Sequence, residues 1–426
     1  MAPSLYELLS ELNVEDGKHD TGSQDKVSTS SNDDKGYYSD CEEELEEDDK
    51  ARLALFDLSF LEREQGHAPV FTRALLKRIA ADMAFIALEQ SKLLSQRRPT
   101  SLQYAHPNGQ KVKVWNALRV ANAVNINYST RIEMVPGFQR RWGDAWSRSR
   151  TLRDLNPNMK PDQLATLVPP YHIISYQRFY DDTHLDPALM CGYRAKLAHI
   201  QQLWSKSAAW RQVSDAVSHG AAQLRAPVKK IVCIGLGRIR LEPAWYGSTL
   251  QHLTAFKLAQ TLDELNRRRD PTCPKVRLIV QDPCYEERDR ILLPELTTSE
   301  VEFGKSDPET LLEIDVNTIV ISAFLPTTVP LPQIVADLLA DTPEKGPAMM
   351  LWDGHGAIDR AQRFYRLNDR SSPAVARMIR GGDRYMLYLR RFADLNDELA
   401  DALEQEGKSR GRHWLQEMRL MVRREA

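Results

Sequence analysis

Apolar residues along this chain follow two different spacings, and the way the spacings alternate predicts the fold. Between short apolar runs lie stretches with apolar residues three and four positions apart, which is the spacing of helices. Strands that alternate with helices require crossover connections, so we predict an α/β fold with a Rossmann-like, doubly wound and mostly parallel sheet. The runs that predict buried strands are Ile231–Ile234, Val276–Val280, Thr318–Phe324 and Ala348–Trp352.

The segments on either side of this core are predicted to be mainly helical. Helical spacing predicts a long helix over Phe71–Gln96 and two consecutive helices over Asp186–Leu224, with a strand candidate at Val112–Val120 between them. After an edge strand at Arg384–Arg390, two amphipathic helices are predicted at 393–406 and 414–424. Four parts result: a disordered acidic tail (1–50), an N-terminal mainly helical extension (51–203), a Rossmann-like domain (204–391) and C-terminal helices (392–426).

Residues 1–50 have the composition of a disordered segment. They contain 16 acidic against 4 basic residues and few apolar ones, so they have little to bury in a core. Leu5, Leu8 and Leu9 form an LxxLL pattern near the start of this tail. Such a pattern either docks on a protein partner as a short helix or belongs to a fraying turn, because isolated short helices are marginal in water.

The charge balance changes after the tail. The whole chain has a formal charge of −2, but the part after residue 50 has 43 acidic against 53 basic residues. Arginines and tryptophans in Phe138–Arg153 are compatible with phosphate contacts and base stacking, although such a stretch is more often a solvated surface loop. A basic excess of this size is also compatible with a protein that binds no polyanion, so nucleic acid is not the favoured partner.

Other features of the composition favour a soluble protein in a reducing compartment. The five cysteines are widely spaced and form no CxxC pattern, so neither a disulfide framework nor a metal site is predicted. The first residues lack the basic and apolar regions of a secretory signal. Three prolines interrupt the uncharged stretch Asn317–Ala336, so no membrane span is predicted. We therefore expect the protein in the cytoplasm, the nucleus or both.

The candidate binding site lies where the apolar run beginning at Ile231 ends in Gly235-Leu236-Gly237. Ligands of open parallel sheets bind at the carboxyl ends of strands, and glycines there allow close approach of the backbone. However, Arg240 occupies the third position of a dinucleotide-binding GxGxxG pattern, and the next helix, capped by Ser248 or Thr249, begins about ten residues too late for it. The pattern fits a structural turn as well as it fits a nucleotide, S-adenosylmethionine or sugar-phosphate site.

Polar residues at other strand ends could complete this site. Asp282 ends the second strand, where an acid can accept hydrogen bonds from ribose hydroxyls. Gln251 and His252 lie in the first turn of the helix after the glycines, and His252 is either a base or phosphate contact or a packing residue. Asp353 and His355 form either an Asp-His pair or part of a tight turn. No catalytic residue and no cofactor follow from these patterns alone.

Four segments of this region stand out by their order and chemistry: IVCIGLGRI (231–239), QHLTAFKLAQTL (251–262), VQDPCYEERDRILL (280–293) and TIVISAFLPTTVPLPQIV (318–335). Together they resemble the SRR-like domain, the family named for the plant protein "sensitivity to red light reduced". The QH and QDP forms are most similar to fungal members of that family. The resemblance covers about Trp204–Asp353.

The resemblance implies a Rossmann-like regulatory protein linked to light signalling, circadian regulation or growth, and it implies no established reaction. Many members carry a histidine after the last segment's proline, whereas here Thr327 follows Pro326, so no role of that histidine is carried over. Three functions remain open. The first is a regulatory protein that binds a nucleotide-like small ligand at this rim. The second is a group-transfer enzyme that uses a nucleotide-containing cofactor with His252 or His355 as base, and the third is an RNA-associated protein.

Overall fold

The computed structural model describes most of the chain between residues 56 and 424, and every structural statement below concerns the described residues. These are residues 56–58, 68–92, 100–105, 111–116, 123–131, 133–134, 170–176, 185–239, 246–326, 329–353, 364–365, 371–380, 384–389 and 414–424. The acidic tail with its LxxLL pattern, the stretch 138–153, His355 and the helix predicted at 393–406 lie outside them.

The part of the chain before the central sheet contains one long helix and several short strands. In chain order these are β1 (Phe56–Asp57), α1 (Arg73–Ser91), β2 (Thr100–Ala105), β3 (Lys111–Asn116), β4 (Ala123–Tyr128) and β5 (Tyr171–Tyr176). β2 pairs with β3 and β4 pairs with β5, both antiparallel. The described residues of this region contain these strands beside the long helix α1, and the prediction of a mainly helical extension over 51–203 stays a prediction. The strand candidate at Val112–Val120 overlaps β3, whereas in β4 polar and apolar residues alternate over only six residues, which is too short a run to predict a strand.

The second part of the chain alternates between helices and strands, as the apolar spacing predicts. Its elements are α2 (Pro187–Lys206), α3 (Ala208–Gln223), β6 (Lys230–Ile234), α4 (Tyr246–Arg269), β7 (Arg277–Gln281), α5 (Glu287–Glu295), β8 (Val301–Phe303), α6 (Asp307–Leu312), β9 (Thr318–Ser322), α7 (Leu331–Leu338), β10 (Met349–Asp353), β11 (Phe364–Tyr365), α8 (Pro373–Arg380), β12 (Tyr385–Leu389) and β13 (Met418–Arg423). The helix α6 has no counterpart in the prediction. No helix among the described residues has both the length and the apolar character needed to cross a bilayer.

Seven strands form one sheet in the order β12-β13-β10-β9-β6-β7-β8. The five strands from β8 to β10 pair in parallel, while β13 runs antiparallel to both of its neighbours. The predicted α/β class and mostly parallel sheet are confirmed. From β6 the chain winds outward through β7 to β8 and then returns to β9 on the other side of β6. The winding direction therefore reverses between β6 and β9, where ligands of open α/β sheets bind.

The helices cover both faces of the sheet. On one face α3 packs against α2, α4 and the strands β12 and β13. On the other face α6 packs against β7 and α1, and α7 packs against α8. Right-handed crossovers that run in opposite directions place their helices on opposite faces, which explains this arrangement. The buried apolar side chains of both layers and of the strands join in one core.

The structure of residues 414–424 differs from the helix that the sequence predicts there. The sequence predicts an amphipathic helix at 414–424, but only Trp414–Glu417 form a short 3-10 helix, and Met418–Arg423 form β13. Met418, Leu420, Met421 and Val422 are all buried, because a strand between two others inside a covered sheet has apolar neighbours on both faces. Such a run lacks the alternation of a half-exposed strand, and its apolar positions also satisfy helical spacing.

One glycine makes the helical layer fit closely on this strand. A Cβ on Gly220 of α3 would lie 2.6 Å from Val422 Cγ2 of β13, which is closer than side chains tolerate. A Cβ on Gly192 of α2 would meet no atom within 4 Å, so this residue serves as a matched helical glycine. Helix α3 can therefore approach β13 closely only because residue 220 has no side chain.

We expect Gly220→Ala to lower the free energy of unfolding by about 1–3 kcal/mol through overpacking. Gly192→Ala should raise it by up to about 1 kcal/mol, because alanine has the higher helix propensity. Urea unfolding followed by circular dichroism measures both changes, and adding Val422→Ala to Gly220→Ala should recover part of the loss. Equal effects of the two glycine substitutions would contradict the close approach of α3 to β13.

Candidate functional site

The loop after β6 is shaped by two glycines at the switch point of the sheet. Gly235 and Gly237 have left-handed backbones with φ of 69° and 76°. The amide of Gly235 donates to the carbonyl of Gln281 at 2.8 Å and so continues the pairing of β6 with β7. A Cβ on Gly235 would overlap Leu325 Cδ2, because the loop after β9 lies directly against this turn. Glycine is thus required at residue 235 for its conformation and for the lack of space.

Asp282 fastens this loop to the neighbouring strand end. Its Oδ2 accepts a hydrogen bond from the amide of Gly237 at 2.7 Å, and its Oδ1 accepts one from the amide of Cys284 at 2.8 Å. One carboxylate therefore joins the glycine turn after β6 to the turn after β7. The structure brings Gly235, Gly237 and Asp282 together at one rim, and it uses Asp282 to hold that rim in place.

Asp289 of α5 holds the far end of the same loop. Its Oδ1 accepts from the amide of Ile239 at 2.7 Å and its Oδ2 from the amide of Glu286 at 2.8 Å. Burial, outweighing these bonds, raises the pKa of Asp289 to about 6. Two loop amides thus donate to protein carboxylates, whereas in a phosphate-binding loop the amides point at the ligand. The direction of these amides therefore distinguishes this glycine loop from a pyrophosphate-binding loop.

His252 lies beneath the loop rather than on its surface. The ring is fully buried, with Nδ1 2.7 Å from the carbonyl oxygen of Ser248 and Nε2 2.7 Å from the hydroxyl of Tyr285. A carbonyl can only accept, so Nδ1 carries the hydrogen and Nε2 accepts from Tyr285. Burial lowers the pKa of His252 to about 4, so the ring is neutral at pH 7. Gln251, beside it, is also buried. A role for either residue toward a ligand stays a prediction.

Asp353 lies on the same edge of the sheet but at a distance. Its strand β10 is separated from β6 by β9, and from β7 by β9 and β6. Neighbouring strands are about 4.8 Å apart, so the backbone of Asp353 is about 10 Å from the glycine strand and about 14 Å from Asp282. Direct hydrogen bonding between the two aspartates is excluded by this spacing. The predicted Asp-His pair is untested, since His355 lies outside the described residues.

Phe324 is a site residue that the sequence does not reveal. It follows β9 at the switch point and has a φ of 53° with 40% of its surface exposed. A left-handed backbone is a conformational outlier for a bulky residue, and such strain is concentrated at functional sites. The preceding strand and Pro326 locate a turn in the sequence, but the strain of one residue within it cannot be inferred from residue types.

Asp307 and Tyr128 are two further buried polar residues that the sequence does not reveal. Asp307 begins α6, is 8% exposed, and its side chain forms no hydrogen bond or ion pair within the described part of the chain. Burial raises the pKa of Asp307 to about 7, and the charge of Asp282 adds to this effect. The Tyr128 hydroxyl is buried and has no hydrogen-bond partner among the described residues. Burial, then the charge of Asp307, raises the pKa of Tyr128.

Comparison with known proteins identifies one family. Residues 200–403 match the family model described as the SRR1 domain, and they contain β6 to β10 with the strand ends discussed above. The resemblance seen in the four sequence segments is thereby confirmed. Neither the curated proteins nor the solved structures gave a significant match.

The buried Asp307 predicts a measurable pH dependence of stability. A carboxyl whose pKa is raised from 3.8 to about 7 by folding keeps its proton in the folded state, so stability is lost as the pH rises between these values. The loss is of the order of 4 kcal/mol, because each pKa unit corresponds to about 1.4 kcal/mol. We expect the advantage of Asp307→Asn over the unsubstituted protein to grow by about this amount between pH 4 and pH 8 in urea unfolding.

His252 provides a control of opposite sign. Its pKa is lowered from 6.5 to about 4, so its contribution to stability is lost as the pH falls through that range. His252→Gln should therefore reduce the acid sensitivity, whereas Asp307→Asn reduces the alkaline loss. A difference between Asp307→Asn and the unsubstituted protein that stays constant from pH 4 to pH 8 would contradict a buried carboxyl at residue 307.

Proposed function

Because residues 200–403 match the SRR1 domain, we propose that the chain is a regulatory protein that responds to a nucleotide-like small ligand bound between the ends of β6 and β9. The family resemblance connects such regulation with light signalling, circadian rhythm or growth, in the cytoplasm, the nucleus or both. The acidic N-terminal tail would then supply the contact with a protein partner. The match of residues 200–403 to the SRR1 domain supports the regulatory class.

The strained, half-exposed Phe324 is the observation that carries the ligand site. A left-handed backbone at a residue other than glycine costs about 1–3 kcal/mol and persists only where the surroundings impose it. Phe324 keeps 40% of its surface exposed while in this conformation, so its burial does not explain the strain. An aromatic ring presented at a switch point is suited to stacking on a planar ligand such as a base.

The neighbouring residues support a ligand that lies across the rim. Leu325 fills the space beside Gly235, so the gap between the ends of β6 and β9 is closed below the surface. Phe324 and the glycine turn remain at the surface of the same edge. A flat ring system that contacts Phe324 on one side and the glycine backbone on the other fits this arrangement better than a deeply buried chain would.

A group-transfer enzyme is the second candidate, and the strand order favours it. The order β8-β7-β6-β9-β10-β13-β12 has a switch point between β6 and β9, and open α/β sheets bind nucleotide-containing cofactors at such a point. This is an analogy of fold, and a fold alone does not establish a reaction. Tyr285 occupies Nε2 of His252, so a base in such a reaction would come from another residue. For the RNA-associated alternative, the supporting stretch 138–153 lies outside the described residues.

A thermal-shift screen with NAD(H), NADP(H), S-adenosylmethionine, ATP and sugar nucleotides tests the ligand site, since a bound ligand stabilises the fold by mass action. Base stacking on an aromatic side chain contributes about 1–3 kcal/mol, so we expect Phe324→Gly to weaken the affinity of the active ligand by about ten-fold or more. The change in stability without ligand should stay within about 1 kcal/mol, because relief of strain offsets the lost packing.

Lys345→Gly is the matched control. Lys345 is the other described residue besides glycine with a positive φ, 49°, and it lies exposed in the turn before β10. This substitution relieves a similar backbone strain away from the switch point and should leave the ligand-induced shift unchanged. If no compound raises the melting temperature at millimolar concentration, or if Phe324→Gly binds as tightly as the unsubstituted protein, the proposed site is wrong.

A further inference from the structure

Helix α1 has a second row of apolar residues, on its exposed side. The helix packs against α6 and β4, and among the side chains that it buries are Leu76, Ile79 and Ile86. On the exposed side, four apolar residues lie at positions i, i+3, i+4 and i+7: Ala81, Ala84, Phe85 and Leu88. Phe85 and Leu88 are 46% and 61% exposed, more than any other large apolar side chain among the described residues. We call these four residues the exposed stripe. Exposed apolar patches with a polar border typically mark interaction surfaces.

The charge around the exposed stripe is positive. From its first residue to Lys92, the helix with its C-cap contains four basic against two acidic residues. Lys77 and Arg78 lie one turn before the stripe and Lys92 lies one turn after it, and all three are exposed. Both acids, Asp82 and Glu89, have mostly buried side chains and form ion pairs with neighbouring basic residues. A molecule that covers the stripe would therefore meet an apolar centre with basic ends.

The N-terminal segment 4–12 has the complementary composition. The spacing i, i+3, i+4 and i+7 recurs there in Leu5, Leu8, Leu9 and Leu12. Ser4 and Glu7 have the spacing of a capping box, which favours the start of a helix at Ser4. Residues 4–16 contain four acidic residues and no basic one. As a helix, this segment would present an apolar stripe of the same length, bordered by negative charge.

We propose that residues 4–12 dock as a short helix on the exposed stripe of α1 in the same chain. Burial of apolar side chains provides the attraction between the two stripes, and the opposite charges at their borders favour this acidic segment. An isolated helix of this length is marginal in water, so it forms only on a surface that takes up its leucines. A protein partner that binds these leucines then has to compete with α1.

The length of the chain between the two stripes supports a contact within one molecule. Residues 13–55 separate the segment from β1. A disordered chain of about 40 residues, which the composition of the tail predicts, has an average span of about 35 Å. The 19 residues of α1 extend over about 28 Å, so the tether is long enough to reach along the helix. Flexible tethers give effective concentrations of about a millimolar, so even a weak contact is largely formed.

Hydrogen–deuterium exchange of the full chain, followed by mass spectrometry, tests this contact. We expect exchange of the amides of residues 5–12 to be slowed about ten-fold relative to an unstructured peptide. Ten-fold protection corresponds to a contact with a dissociation constant of about 0.1 mM at a millimolar effective concentration. Leu88→Ser and Leu8→Ser should each reduce the protection to about two-fold or less, because the loss of one buried leucine weakens a contact by about ten-fold or more.

Leu189→Ser is the matched control for Leu88→Ser. Leu189 is an exposed leucine in the first turn of α2, which lies on the opposite face of the sheet from α1. This substitution should leave the exchange of residues 5–12 unchanged. Leu8→Ser lies outside the folded core, so it tests the contact even if Leu88→Ser disturbs α1. Circular dichroism of the three variants should match that of the unsubstituted protein.

Other occupants of the exposed stripe give different results. If two copies of the chain pair through α1, Leu88→Ser should halve the mass measured by light scattering while Leu8→Ser leaves it unchanged, and this result would overturn the proposal. Exchange of residues 5–12 at the rate of an unstructured peptide in the unsubstituted protein would also overturn it. Protection that does not change on dilution, and that both Leu8→Ser and Leu88→Ser remove, would support it.

Discussion

The hydrogen bond from the amide of Gly237 to the carboxylate of Asp282 is the constraint on which the carboxyl edge depends. It joins the ends of two neighbouring parallel strands at the level where the winding of the sheet reverses. Hydrogen bonds to an ionised acceptor are stronger than neutral ones, and here a single side chain also holds the turn after β7. The glycine turn after β6 and the turn after β7 are both held by this carboxylate.

The same hydrogen bond changes which ligands the glycine loop can bind. Loops of this kind bind phosphates when their amides are turned to solvent and a helix begins directly behind them. Here protein carboxylates take the amides of Gly237 and Ile239, and α4 begins only at Tyr246. The edge is consequently acidic and aromatic in character, with Phe324 exposed after β9 and Asp307 buried after β8. Recognition at such an edge depends on stacking and on the edges of a ring rather than on phosphate.

Sequence patterns predict the central strands well and the site only in part. β6, β7, β9 and β10 are buried on both faces, so each appears as an uninterrupted apolar run whose end marks a residue of the rim. Gly235 and Asp282 can be located in this way. Asp307 and Tyr128 cannot, because their burial depends on how α6 and β4 each pack against α1, which no local pattern records. The strand β13 is missed because its apolar residues satisfy both spacings.

The position of β13 has a consequence for how the protein is made. It lies between β10 and β12, yet its residues follow every other strand of the sheet in the chain. While a nascent chain still lacks Met418–Arg423, β10 is an open sheet edge with unpaired backbone groups, and β12 has no neighbour. Domains fold largely from the N-terminal side during synthesis, so before β13 is made the sheet passes through a stage in which β10 can pair with other chains. The sheet therefore needs protection of the β10 edge until Met418–Arg423 join it.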